Sequence, residues 1–253
     1  MKRYQILYFF LFLTFFNCSS KKDIIYLQSS NLESIDFSYL TYKIKIDDIL
    51  KIDVVTENPE VTVSFNRQGL NSNFLNNKEA MVLNSYQVDA EGNINFPTLG
   101  SIFVLNKTLI EVRNLIYENI KDNDYLINPM IDVKLINASF TILGEVLRPG
   151  RYEFLKNNLN ILEAIGYAGD LTINGKRDDI RVVREIDGKS NVFSLDLTMD
   201  NLLSDKNYQI LSGDIIIVNP NNTRIKNAGI IGNSGTLISL LSFLLSSIIV
   251  IGN

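Results

Sequence analysis

A long uncharged run lies near each end of this chain, and the two runs confine any water-soluble fold to the stretch between them. Near the N-terminus Lys2 and Arg3 precede an apolar run from Ile6 to Phe16, and Asn17, Cys18, Ser19 and Ser20 close it. A basic start, an apolar segment of about a dozen residues and a small polar close have the grammar of a secretory signal, whereas a transmembrane helix needs roughly 20 apolar residues. Residues 1–17 are therefore read as a signal peptide that takes the chain out of the cytoplasm. At the other end no residue from Gly229 to Ile251 is charged. One helix of that length would cover roughly 35 Å, enough to cross a bilayer, so 229–251 is expected to be a C-terminal transmembrane helix.

Within that segment Gly232, Gly235, Ser239, Ser242 and Ser246 recur in steps of three and four and so share one helical face. Three readings of the face stay open. It is a plain anchor whose serines bond their own backbone, a buried core helix, or a face for helix packing or a water-filled lumen between copies. Cys18 is the one cysteine in the chain and stands where the first apolar run stops. That position resembles the lipobox of bacterial lipoproteins, whose cysteine is lipidated, and makes 18–39 a lipid-anchored linker.

Composition removes most enzymatic classes. The 253 residues include no histidine, so no Ser-His-Asp or Cys-His site and no imidazole ligand for a metal can be built. A single cysteine allows neither an intrachain disulfide nor a thiolate cluster. The net charge of −4 offers no basic field for nucleic acid. Neither a catalytic residue, nor a metal site, nor a cofactor is expected.

Between the ends, alternation over Tyr42 to Ile46 and Ile49 to Val55 predicts two strands joined at Asp47-Asp48, where adjacent carboxylates serve the turn because neighbours in a strand face opposite ways. Residues 57–79, rich in asparagine, are read as a long loop. A hairpin is expected from Tyr86 to Phe96. Thr108 with Glu111 has capping-box spacing, and Leu109, Val112, Leu115, Ile116 and Ile120 form one stripe of a helix ending near Lys121. A strand follows over Ile131 to Ile136.

The segment from Ser139 to Phe154 reads as strand, turn and strand, with Pro149-Gly150 suited to a type II turn. Asn160 and Glu163 cap a short helix that Gly169 ends. Strands follow over 179–184, 191–197 and 215–218, wrapped on one helix. Asp48 and Asp214 each precede an apolar strand, a faint internal echo. Asp178 or Asp179 with Glu185 is weighed as a carboxylate pair acting on a glycan and set aside as solvated surface. Tyr152 and Tyr167 are read as core packing ahead of sugar stacking.

The order of these segments resembles the bacterial polysaccharide export outer-membrane lipoproteins. The residues that carry the resemblance are Tyr42 to Leu50, Asp89-Ala90-Glu91-Gly92-Asn93-Ile94 with Phe96 to Gly100, and the strand after Pro129. Gly144-Glu145-Val146 with Pro149-Gly150-Arg151-Tyr152, together with Ile165, Ala168 and Gly169, resembles that family's soluble-ligand-binding β-grasp module. The resemblance implies an α+β chain with a polysaccharide export domain over 40–137 and a β-grasp domain over 138–220, in which Gly144, Pro149 and Gly150 form a turn motif. It implies a non-enzymatic, homo-oligomeric ring in the outer membrane, anchored through Cys18, with its soluble domains in the periplasm. C-terminal helices would pack or line a lumen through Gly232, Gly235, Ser239, Ser242 and Ser246. The implied partners are capsular polysaccharide or exopolysaccharide as transported substrate, the lipid bilayer, and an inner-membrane polysaccharide co-polymerase that carries a tyrosine kinase in many systems. A membrane-anchored periplasmic glycan-binding adaptor without its own pore is the alternative.

Overall fold

A computed structural model describes residues 24–28, 40–67, 78–222, 235, 238–239, 242–243 and 246–247. The chain order is β1 (Ile49–Val55), α1 (Pro59–Thr62), α2 (Lys78–Leu83), β2 (Tyr86–Gln87), β3 (Asn93–Phe96), β4 (Gly100–Phe103), α3 (Leu109–Asp122) and β5 (Met130–Leu135). There follow β6 (Ser139–Gly144), β7 (Gly150–Glu153), β8 (Leu159–Asn160), α4 (Ile161–Tyr167), β9 (Gly175–Ile186), β10 (Lys189–Leu195), β11 (Gln209–Ile210) and β12 (Ile215–Pro220). Two apolar cores form, one from the elements up to β5 and one from those after it, and Leu135 packs against both.

In the first unit β1 is the centre of a three-stranded sheet ordered β2-β1-β5, antiparallel to both neighbours. Ile52 and Val54 are buried on one face while their neighbours in sequence are not, as alternation requires. Against that core lies α3, whose Val112, Ile116 and Ile120 are buried at four-residue spacing. Its start is the full capping box: Glu111 N–H donates to Thr108 Oγ1 at 3.1 Å, and Thr108 N–H donates to the Glu111 carboxylate at 2.6 Å. The same N–H bond holds the Glu111 carboxyl below its ordinary pKa.

Two expectations for this unit are corrected. Residues 42–46 do not form a strand, although Ile44 is fully buried. The Asp48 carboxylate accepts from Lys45 N–H at 2.8 Å and from the Tyr42 hydroxyl at 2.9 Å, and these local bonds bend the segment out of a ladder. The hairpin is also displaced. β2 pairs with β1, whereas β3 pairs with β4 across Pro97, Thr98 and Leu99. Asp89 is the cause, because its carboxylate accepts from the N–H groups of Glu91 and Asn93 and folds the chain before β3 begins.

The second unit holds a five-stranded sheet ordered β10-β9-β12-β6-β7. Its central pair, β12 and β6, is parallel, and every other pairing is antiparallel. A parallel pair requires a crossover, which here contains α4; Ile161, Ala164 and Ile165 of that helix are buried in the core with Phe140, Ile142, Ile180 and Ile216. Asn160 and Glu163 make the second capping box. The type II turn expected at Pro149-Gly150 is not found. Positive φ falls on Gly144, at +92°, while Gly150 opens β7 opposite Ile142.

The expected C-terminal transmembrane helix over 229–251 is overturned: among the described residues no helix is long and apolar enough to cross a membrane. The chain is a mixed α/β protein in its described parts. Absence of charge is not the same as apolarity, and this stretch intersperses its leucines and isoleucines with glycine, asparagine, serine and threonine. Cys18 and Gly232 lie outside the described residues, as do 29–39 and 68–77.

Candidate interaction site at the junction of the two units

Where the two cores meet, the strap of residues 40–48 runs between them, and each of its bonds has a sequence origin. Gln209, on β11, is buried and grips Leu40 at both backbone groups. Its Oε1 accepts from Leu40 N–H at 2.6 Å, and its Nε2 donates to the Leu40 carbonyl at 3.0 Å. Asn137 does the same for the turn before β1: Oδ1 accepts from Ile49 N–H at 2.9 Å and Nδ2 donates to the Asp47 carbonyl at 3.0 Å. A side-chain amide has one acceptor and two donors, so it can replace a missing ladder partner for an irregular strand. At the rim, Lys45 lies 3.6 Å from the Glu185 carboxylate.

Behind the strap is a buried ion pair. Arg184 Nε donates to Asp214 Oδ1 at 2.9 Å, its Nη2 donates to Oδ2 at 2.6 Å, and Nη2 also donates to the Gln209 carbonyl at 2.7 Å. The side chains are 5% and 1% exposed, which makes this a fully desolvated bidentate pair rather than a surface contact. Arg184 thus supports the backbone of the same Gln209 that holds the strap.

The echo between Asp48 and Asp214 is structural. Each carboxylate accepts from the N–H three residues earlier, Lys45 or Leu211, at 2.8 Å. Each Asp N–H also donates back to that residue's carbonyl, at 3.3 and 3.2 Å. An apolar strand follows both turns. Burial pushes the Asp48 carboxyl above its ordinary pKa, opposed by the Lys45 N–H and the Tyr42 hydroxyl, while burial and the nearby Asp48 charge push the Tyr42 phenol up. Over the strap lies a mostly apolar cleft with a cavity volume of about 210 Å³, walled by Leu40, Tyr42, Ile110, Phe154, Leu155 and Leu211. Thr41, Thr108, Lys156, Asn157, Asn158 and Ser212 add polar groups to the lining, which includes no Asp, Glu, His or Cys.

The other sequence candidates separate. Asp179 accepts from Ser194 Oγ at 2.9 Å, which holds its carboxyl below the ordinary range, and it lies within 4 Å of Lys176 and Arg181. Glu185 stands six residues further along β9, roughly 20 Å away in an extended strand, so the two cannot flank one glycosidic bond. Asp178 is exposed, and its carboxylate lies 3.8 Å from the same Lys176 ammonium. Tyr152 and Tyr167 both pack on the buried Phe140, with ring centroids 5.6 and 5.9 Å away. Among the described residues no group of His, Cys, Asp and Glu could hold a metal ion.

In the C-terminal stripe, Gly235, Ser239, Ser242 and Ser246 are helical and exposed. Ser239 Oγ donates to the Gly235 carbonyl at 2.8 Å and Ser246 Oγ to the Ser242 carbonyl at 2.7 Å. Those hydroxyls are satisfied by their own helix. Gly144, Pro149 and Gly150 lie at the ends of β6 and β7, away from the junction. Sequence reasoning passed over Gln209, Asn137 and Arg184. A charged residue in the middle of the alternating run of β9, at a position facing the core, was the available signal for Arg184.

The family comparison agrees with this two-unit order. The profile described as polysaccharide biosynthesis/export protein matches residues 38–136, and that of the SLBB domain matches 139–194. The chain belongs to the polysaccharide export family. Two relatives carry the name EPS I polysaccharide export outer membrane protein EpsA. The one from Ralstonia nicotianae is 29% identical over 183 residues, covering 70% of this chain and 47% of its own length. The one from Ralstonia solanacearum is 29% identical over 185 residues, covering 71% and 48%. The chain therefore spans about half the length of these relatives. The first matched family is one of polysaccharide export proteins and not an enzyme family.

Proposed function

We propose that this export-family chain is an outer-membrane lipoprotein, acylated at Cys18, that serves as one subunit of a homo-oligomeric channel passing capsular polysaccharide or exopolysaccharide from the periplasm to the cell surface. The observation that carries the reading is the uninterrupted succession of an export unit and an SLBB unit. They share the hydrophobic residue Leu135 and the Gln209 clasp, so they are built to act as one body. The names of the two Ralstonia relatives support both the outer-membrane location and the polysaccharide cargo. An inner-membrane polysaccharide co-polymerase, with or without a tyrosine kinase, is the partner that would deliver the chain of sugars.

Deleting the gene in its own host tests the role. Surface polysaccharide is expected to fall by about tenfold or more, with restoration by the full chain and no restoration by a Cys18→Ser variant that fails to reach the outer membrane. Normal surface polysaccharide in the deletion strain would overturn the export reading. A detergent extract containing only monomer would overturn the ring.

A further inference from the structure

Both chain segments that lead away from the second unit are fastened to one end of its sheet. On the N-terminal side, the Tyr26 hydroxyl donates to Asp170 Oδ1 and its ring lies 5.4 Å under the Arg177 guanidinium. Leu27 and Gln28 donate their N–H groups to the Leu197 and Thr198 carbonyls at 3.1 and 2.9 Å. On the C-terminal side, Asn221 N–H donates to the Asn174 carbonyl at 2.6 Å and Asn221 Nδ2 donates to the Ile173 carbonyl at 3.1 Å. The loop of residues 170–175 thus holds both departing segments.

The lengths beyond these two fastenings are short. Cys18 precedes Tyr26 by eight residues, and the uncharged run beginning at Gly229 follows Asn221 by eight. Eight residues reach at most about 28 Å when fully extended.

Between the fastenings the same end presents large apolar side chains to solvent. Leu147 is 65% exposed and Ile173 is 64% exposed. Their loops are tied together: Leu147 N–H donates to the Asp170 carbonyl at 3.0 Å, Thr172 N–H donates to the Glu145 carbonyl at 2.9 Å, and Val146 bridges Leu171. Arg148 is exposed beside Leu147. Two exposed aliphatic tips with a neighbouring cation have the composition of a surface that rests in a bilayer interface.

We propose that this end of the second unit, through Leu147 and Ile173, contacts the headgroup region of the membrane that holds Cys18. The proposal rests on the lipid-anchor reading above and adds to it a defined protein surface and an orientation. The tether limits how far the surface can stand from the bilayer, and the Tyr26 fastening determines which end is held there. The opposite end of β9, at Ile186, lies about eleven residues beyond Gly175, roughly 36 Å along an extended strand, and points away from that contact.

The test uses the full chain with its own signal and Cys18. Acylation consumes the natural cysteine, so Leu147→Cys, Ile173→Cys and Ile186→Cys each carry a single free thiol for an environment-sensitive fluorophore. The labelled proteins are reconstituted into phosphatidylethanolamine and phosphatidylglycerol vesicles with a lipid spin-labelled near the headgroup. Quenching at 147 and 173 is expected to exceed that at 186 by about twofold or more, as burial in the interface requires. With Cys18 shown by mass to be acylated, equal quenching at all three positions would overturn the membrane-facing surface and leave the anchor standing. An unmodified Cys18 would overturn the anchor, and the surface with it. Agreement between the two independent positions 147 and 173 guards against a local defect in either variant.

Discussion

At Gly144 the backbone takes φ +92°, and a Cβ there would run into the Val218 carbonyl oxygen, which accepts from Glu145 N–H at 3.0 Å. Glycine is required twice over, by conformation and by the close approach of β12. Gly144→Ala is expected to destabilise the protein by about 2 kcal/mol or more, read as a lower midpoint in urea unfolding. Gly150→Ala is the contrast, because its φ is not positive and its Cβ position is open, so its cost should stay within about 1 kcal/mol. The sequence drew attention to both glycines as one motif. Only the backbone separates them, since a dipeptide such as Pro-Gly is compatible with a turn without dictating it.

Among the elements, α3 and α4 show local chemistry marking where a helix begins, while the cores bury one face of each. Each begins with a reciprocal cap, Thr108 with Glu111 and Asn160 with Glu163, and each was readable from a three-residue spacing followed by an apolar stripe. Thr108→Ala leaves Glu111 N–H without its partner and should cost about 1 kcal/mol, checked by thermal or urea unfolding followed by circular dichroism. In α4, Glu163 is also bonded to Lys156 at 2.6 Å, and that bond is the largest influence holding its carboxyl below the ordinary range. Strands were harder to read. The run from Tyr42 to Ile46 alternates correctly and is not a strand, because Asp48 captures its donors and its Ile44 N–H goes to the Lys107 carbonyl instead of a ladder. Alternation reports which side chains are buried; it does not report where the backbone bonds go.

For the whole molecule the decisive group is the Arg184–Asp214 pair with Gln209, because it joins the second unit's central strands to the strap of the first. Arg184→Met alone strands a buried carboxylate and is expected to cost about 3–5 kcal/mol, whereas Arg184→Met with Asp214→Leu should recover much of that loss. Urea unfolding of the two variants and the wild type checks the difference. Both capping boxes, most strands of the second unit, the lack of histidine chemistry and the family were legible from residue order, because each of these depends on residue type at short spacing. Residue order alone misled at the C-terminal segment, where an uncharged run was equated with a spanning helix although glycines and serines interrupt it. Tertiary structure alone decided the partners of Arg184, Gln209 and Asn137, and the fastening of Tyr26 and Asn221 to one loop. Those contacts join residues up to 169 positions apart, and nothing local encodes such a meeting. They arise when two cores, each patterned by its own sequence, close on the polar groups left between them and most buried donors find an acceptor.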